Sequence, residues 1–451
     1  MTLQDEAAAR YHKLIDSAAY QDLAWAKALQ EKMAERNLTP GGRPVCPVMR
    51  PHFITRRQYD AMVKAAEALY SAIDRVRLMA AANPALLARM EMLPAEKMLA
   101  SVDPGYPYLA VTSLLDTHLH NGSFQFVHAA AEGLTGPGYS DALGEVFYDA
   151  QPVRELRKKY KLSRLSSLKH LLKSLLAAYK VSGKKKFPRI AIVEFRPPFK
   201  SAPTADNENM AEFFRQSGYP TEVVTPEQLD YRGGVLSRGD FGIEIVYRRV
   251  SAQELLVRFD LMHPLLRAYR EGAICMANSF RSEIVQKKAI FGLLSDEAVT
   301  HGFPALERKA IRDHVPWTRV VSATKTSYDS KPIDLPEFIL SNRENLVLRP
   351  NDVGNDLHSF RGWETDPSAW ERALKTALRA PYVVQQRVTP ARMQFPVYQF
   401  GRMDMKEMQV DVHPQMMLGK VDGCAAWVAE AGSSFSTLNG VAPTLVIEGG
   451  A

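Results

Sequence analysis

Residues 189–224 constrain the fold more than any other stretch of this chain. RIAIVEF (189–195) is a near-continuous apolar run, residues 208–218 carry helical spacing, and TEVV (221–224) reads as the next strand. A strand, a crossover helix and a second strand form a βαβ unit, and such units build parallel sheets covered by helices on both faces. FGIEIVYRR (241–249) adds a strand that closes on the cations Arg248 and Arg249, and a helix is expected over 251–272. Next, ICMANSFRSEIVQKKAIFGLL sets Asn278 and Arg281 between a short strand and a helix carrying Lys287 and Lys288.

The 451 residues leave room for two or three domains, and 46% hydrophobic with 24% charged residues is ordinary globular composition. Residues 3–37 alternate charged and Ala/Leu positions and predict one or two helices. Thr55 is placed to cap a long helix through Met79, which Asn83-Pro84 then ends. YLAVTSLLDTHL and FQFVHAA predict two strands joined near Asn121-Gly122, with a Gly/Pro-rich loop at 133–138 after them. In NLVLRPNDVGNDLHSFRGWETD (345–366), Leu346 to Leu348 suit a buried strand that delivers Arg349 to a polar loop, and Pro350 should end the pairing. A cation at a strand end beside such turn formers is a common way to receive a phosphate. A helix over 367–378 capped by Asp366 and a strand over 382–388 follow.

Net charge is +7, but residues 154–189 alone hold thirteen Lys or Arg against Glu155, so this stretch carries +12 and the rest of the chain −5. Leu162, Leu165, Leu168, Leu172, Leu175, Leu176 and Tyr179 recur at helical spacing, which predicts one basic amphipathic helix. Such a face suits an acidic partner; with no aromatic ladder to stack on bases, nucleic acid is not expected. Cys46, Cys275 and Cys424 are too few and too far apart for a disulfide framework and lack zinc spacing. No apolar run reaches membrane-spanning length, and MTLQDEAAARYHK is too polar for a secretory segment, so a cytoplasmic protein without a membrane partner is expected.

From about residue 40 to 450 the chain resembles the circularly permuted ATP-grasp proteins of the glutathionylspermidine-synthase-like kind. The resemblance is clearest in GDFGIEIVYRRV, HPLLRAYREGAICMANSFRSEIVQKKAIFGLLSDE, VPWTRVV, NLVLRPNDVGN, GWETDPSAWERAL and APYVVQQRV. It implies an α/β, ATP-grasp-like fold with two lobes behind an N-terminal helical region. The divisions expected are a helical region (1–100), an α/β substrate or pre-ATP-grasp-like domain with the basic helix (101–275), and the nucleotide-binding lobes (276–451). The implied chemistry is ATP-dependent: magnesium bridges the phosphates, a small-molecule carboxylate becomes an acyl phosphate, and an amine attacks it.

Carried onto this sequence, the resemblance puts Lys287, Lys288, Arg349 and Asp352 around the phosphates and Gln385 and Gln386 at the adenine hinge. It puts Asp116, Glu132, Asn278 and Arg281 on the substrate side and Asp411 at the first metal aspartate. Several positions depart from the family. Arg349 stands for the usual lysine, the loop after it keeps few glycines, and Gln386 replaces the hinge acid. His128 and Ala130 stand where glutamate and asparagine are usual, His413 where a second aspartate is, and Trp427 near an expected arginine, with 434–436 near an expected asparagine. Two readings follow: an ATP-dependent carboxylate–amine ligase with an altered site, or a catalytically inactive relative that binds a ligand or a protein partner.

Overall fold

The computed structural model describes residues 2–120, 123–132, 136–181, 183, 185–196, 204–352, 358–431 and 438–450. Helix Arg56–Ala82 runs through the largest core. The Thr55 hydroxyl accepts from the Gln58 amide at 3.2 Å, and Gln58 Oε1 accepts from the Thr55 amide at 3.0 Å, a reciprocal cap that satisfies two otherwise orphaned donors. Met62, Ala66, Leu69, Ile73 and Val76 recur every three or four residues and are buried. Each larger side chain on that stripe contributes about 1.5–3 kcal/mol by leaving water. The helix stops at Asn83, whose side chain accepts from Ala85 and Leu86 and so starts helix Pro84–Ala88.

The expected parallel sheet is present. Ile190–Val193 lies between Thr221–Val224 and Ile245–Arg248, and Cys275–Ala277 forms the far edge, every pair parallel. A second, antiparallel sheet joins distant parts of the chain: Asn439–Ala442, Lys420–Glu430, Arg402–Met417, Thr112–His120 and Ser123–Ala130 lie in that order, and Ala391–Gln399 also pairs with Arg402–Met417. A third sheet orders Thr318–Val320, Tyr382–Gln386, Leu346–Pro350 and Phe360–Arg361. His52–Thr55 pairs in parallel with Thr444–Gly450, which ties the helical region to the end of the chain.

Four expectations need correction. The basic segment is three elements, helix Gln151–Arg157, strand Tyr160–Arg164 and helix Leu168–Tyr179, rather than one helix. Tyr160 and Leu162 point inward while Lys161 is exposed, a period of two that lets the strand pair with Thr444–Gly450; the leucine spacing was helical only from Leu168 onward. The helix expected over 251–272 splits into Ala252–Arg258 and Pro264–Arg270, because Pro264 starts a new helix with the His263 ring accepting from the Leu265 amide. The strand expected over 241–249 divides at Glu244 into Phe241–Ile243 and Ile245–Arg248, which serve different sheets. Lys287 and Lys288 sit between the short helices Glu283–Gln286 and Ala289–Leu294, not within one. The turn at Asn121-Gly122, residues 133–135 of the Gly/Pro-rich loop, residues 353–357 after Arg349, and residues 434–436 lie outside the described residues. Cys46, Cys275 and Cys424 are free and buried.

Candidate functional site

Gln385 organises the meeting of the three segments that carry the expected phosphate-side residues. Its Oε1 accepts from Arg349 Nη1 at 3.4 Å, and its Nε2 donates to the Val127 carbonyl at 3.2 Å and to Thr318 Oγ1 at 3.1 Å. Arg349 is placed by its strand, opposite Val383 in register, and Pro350 closes that strand. Val127 leads to His128, whose Nε2 lies 3.0 Å from the Gln286 carbonyl, and Gln286 leads to Lys287. The sequence thus brings Arg349, His128, Lys287 and Lys288 together, but the Gln385 amide is spent on the protein itself. Gln386 ends the same strand, its amide donating to the Trp317 carbonyl.

The two lysines are held differently. Lys287, 2% exposed, pairs with Glu96 at 2.8 Å and with the Asp352 carboxylate. Burial works against its charge, but Asp352 and Glu96 outweigh it and raise Lys287 above the ordinary lysine value. Lys288 Nζ donates to the Asp352 carbonyl at 2.7 Å. Asn351 fastens this arrangement: its carbonyl accepts from the Lys288 amide at 2.9 Å, its Oδ1 from the Ala289 amide at 2.8 Å, and its Nδ2 donates to the Met90 carbonyl at 2.9 Å. Sequence reasoning missed Glu96 and Asn351. A glutamate in LPAEKML reads as an ordinary first-turn acid, and only the fold shows it fully buried against Lys287.

Asp116 is ringed by nitrogen. Its Oδ2 lies 2.9 Å from His128 Nδ1 and its Oδ1 3.6 Å from His413 Nδ1, with 32% of its side chain exposed. Burial alone would raise this carboxyl, but the His128 hydrogen bond and the charges of His128, His413 and Arg349 hold it below the ordinary carboxylate range. The Thr117 amide lies 3.2 Å from His413 Nδ1. Asp411 faces His118 across the sheet, Oδ1 to Nδ1 2.6 Å, and its Oδ2 accepts from Gln409 Nε2 at 2.9 Å. Trp427 stands opposite Asp411 on the neighbouring strand.

On the expected substrate side, Asn278 is fully buried and saturated. It accepts from the Val111 and Thr112 amides at 2.7 and 3.0 Å and donates to the Thr112 and Ala131 carbonyls at 2.7 and 2.5 Å. Arg281 donates to the Tyr106 carbonyl and pairs with Asp103, both at 3.3 Å. Glu132 lies near Glu283 and Arg248; burial first, then the Glu283 charge, push its carboxyl up to about 7. Glu283 itself is held by Arg248 at 2.6 Å and by Gln286 Nε2 at 2.8 Å, all three side chains buried.

Magnesium demands oxygen ligands in near-octahedral geometry. Asp411, the residue expected at the metal, faces the His118 imidazole instead, and among the described residues no three His, Cys, Asp or Glu side chains gather into a set able to hold a metal ion. Among the described residues, those expected at the metal do not fit magnesium. The charges of Lys288 and Arg349 are felt at His128, and that of Arg349 also at Asp116. A surface hollow of about 630 Å³ lined by Leu340, Arg343, Pro367 and Trp370 contains none of these groups.

No protein-family model and no curated protein matches the sequence. Among solved structures the chain is similar to a glutathione synthetase-like effector (GSS30) from Globodera pallida in its apo form, at 9% identity and a TM-score of 0.56, over 93% of this chain and 97% of that one. Weaker likenesses are to a putative gamma-glutamylcysteine synthetase from Methylobacillus flagellatus (11% identity, TM-score 0.42, 88% of each chain) and to a RimK domain ATP-grasp protein from Sphaerobacter thermophilus (16% identity, TM-score 0.28, 57% of this chain and 90% of that one). The first likeness runs nearly end to end, and the fold is a mixed α/β, ATP-grasp-like one.

Proposed function

We propose that this chain is an ATP-grasp-like binding protein that receives a phosphate-bearing anion, a nucleotide or another polyanion, at Arg349 and Lys288 without turning it over. One observation carries the reading: the carboxylate expected at the metal, Asp411, lies 2.6 Å from His118, while two cations, Arg349 at Gln385 and Lys288 at the Asp352 carbonyl, are held on the side where phosphates are expected. Loss of metal or arginine charge at a transferring phosphoryl group typically costs on the order of 10² to 10³ in rate per group. Several such losses together leave a binding site rather than a catalyst.

Calorimetric titration with ATP tests this. Saturable binding is expected, and Arg349→Ala should weaken it about tenfold or more, since a partly shielded charge-assisted contact is worth roughly 1.5–3 kcal/mol. No heat and no melting shift with millimolar ATP, tripolyphosphate or pyrophosphate would sink the reading.

A second reading, an ATP-dependent carboxylate–amine ligase with a rebuilt site, is favoured by Glu132. A carboxyl pushed up to about 7 beside Arg248 and Glu283 is poised for proton transfer at neutral pH. In that case a small-molecule acid and an amine are the substrates.

A further inference from the structure

We propose that the chain holds a buried anion of halide size, chloride in ordinary buffers, on the Nε edge of Arg50 beside His12 and His52. One ion there joins helix Leu3–Ile15 to strands His52–Thr55 and Ala391–Gln399. The site shares no residue with the phosphate side and does not rest on that reading.

Arg50 is a buried cation, 3% exposed, and no carboxylate among the described residues pairs with it. Its Nη1 donates to the Pro51 carbonyl at 2.9 Å and its Nη2 to the Gln394 carbonyl at 3.0 Å, while its guanidinium carbon lies 4.0 Å from the centre of the Phe395 ring. Carbonyls and an aromatic face reduce the cost of burying a cation but bring no net charge. Tyr11 brings none either, because burial keeps its phenol protonated and the hydroxyl donates to the Met49 carbonyl at 2.6 Å. Burial pushes the Arg50 guanidinium down to about 10, which leaves it charged at neutral pH. A buried charge of this kind needs a counterion.

Unmet nitrogens mark the place. Nε of Arg50, Nε2 of His12 and Nδ1 of His52 are all buried without a hydrogen-bond partner. Both rings lie within the field of Arg50: burial first and that charge second push His12 down to about 4 and His52 to about 3, with Asp16 opposing weakly at His12. Each imidazole is therefore neutral at pH 7 and carries one N–H, which one tautomer places on the unmet nitrogen. A water molecule there would satisfy a donor but leave the buried charge unbalanced, whereas an anion does both. Carboxylates and phosphates take arginine through two parallel N–H groups. Here both Nη atoms already serve backbone carbonyls and Nε alone is unmet, so a monatomic anion fits the donor set better.

The experiment melts the full chain at pH 7 and fixed ionic strength while chloride replaces gluconate, an anion too large to be buried there, from about 1 to about 200 mM. A saturable rise of about 1–3 °C is expected, together with chlorine-35 line broadening that bromide competes away. Acetate in place of chloride should give no such rise. Arg50→Met, which keeps length and removes charge, should abolish both signals. His12→Leu, which keeps the guanidinium and removes one donor, should weaken chloride binding about threefold or more. Should Arg50→Met fail to fold, bromide soaked into crystals of the wild type decides, with an anomalous peak expected at Arg50 Nε. A wild-type melting temperature indifferent to chloride, a chloride response that survives in Arg50→Met, a response to acetate alone, or a bromide-soaked crystal without the peak each overturns the proposal.

Discussion

Glu132 shares its surroundings with Glu283, and Arg248 pairs with only one of them, at 2.6 Å. Glu132 is thereby raised from 4.5 to about 7 in the folded protein. A raised carboxyl contributes its full stability below the unfolded value and loses it as pH climbs through the folded value. The melting temperature should therefore fall between pH 5 and pH 8, a loss on the order of 2 kcal/mol, and Glu132→Gln should flatten that slope. A variant whose pH profile overlays the wild type would show that Glu132 ionises freely. Much at this scale was legible in the sequence, because Arg349 at a strand end and the pair Lys287-Lys288 announce themselves by local pattern. Partners from afar do not: Glu96 and Lys287 are separated by 191 positions, and nothing near either signals the other. Asn278 shows the same limit, since its residue type fits a substrate ligand equally well, and only its four backbone partners reveal a clamp between Val111, Thr112 and Ala131.

Elements with one strong period were readable, and those whose period changes were not. Helix Arg56–Ala82 has a cap, a stripe and a stop, and helix Pro367–Ala377 begins on Asp366, which accepts from the Ala369 amide at 2.9 Å. By contrast, the leucines of 154–189 pass from a period of two to a helical period near Ser166, so counting them together merged a strand with a helix. The cap of Arg56–Ala82 gives a direct test of this scale. Thr55→Ala should lower the unfolding free energy by about 1 kcal/mol, and Thr55→Ser should cost far less, as read by urea denaturation. Equal midpoints for Thr55→Ala and wild type would mean that the packed stripe alone sets where the helix begins.

For the whole molecule, the local excess of +12 in 154–189 is drawn down by acids from elsewhere, Glu6 on Lys159 at 2.7 Å, Glu145 on Arg164 at 3.7 Å and Glu244 on Lys185 among them. Lys169, Lys173 and Lys180 remain exposed on helix Leu168–Tyr179 or just beyond its end. Reversing all three to glutamate should leave the melting temperature within a degree or two of wild type, because exposed substitutions usually change stability by less than about 0.5 kcal/mol each. Any association of this face with heparin should disappear in the same variant; retention that survives it would place the polyanion contact elsewhere. No helix among the described residues is long and apolar enough to cross a membrane.

The parallel sheet was legible because its strands are continuous apolar runs, whereas the antiparallel sheet pairs Thr112–His120 with Arg402–Met417, far along the chain, and leaves no local trace. That sheet sets Asp411 opposite His118, and with it the question of turnover. The deciding measurement is ADP release by the purified protein given ATP, magnesium or manganese, and a panel of amines with glutathione or amino acids. No release above background is predicted, in a sample that binds ATP by calorimetry. Amine-dependent ADP release by the wild type, abolished by Arg349→Ala, would contradict the account and establish a working ligase.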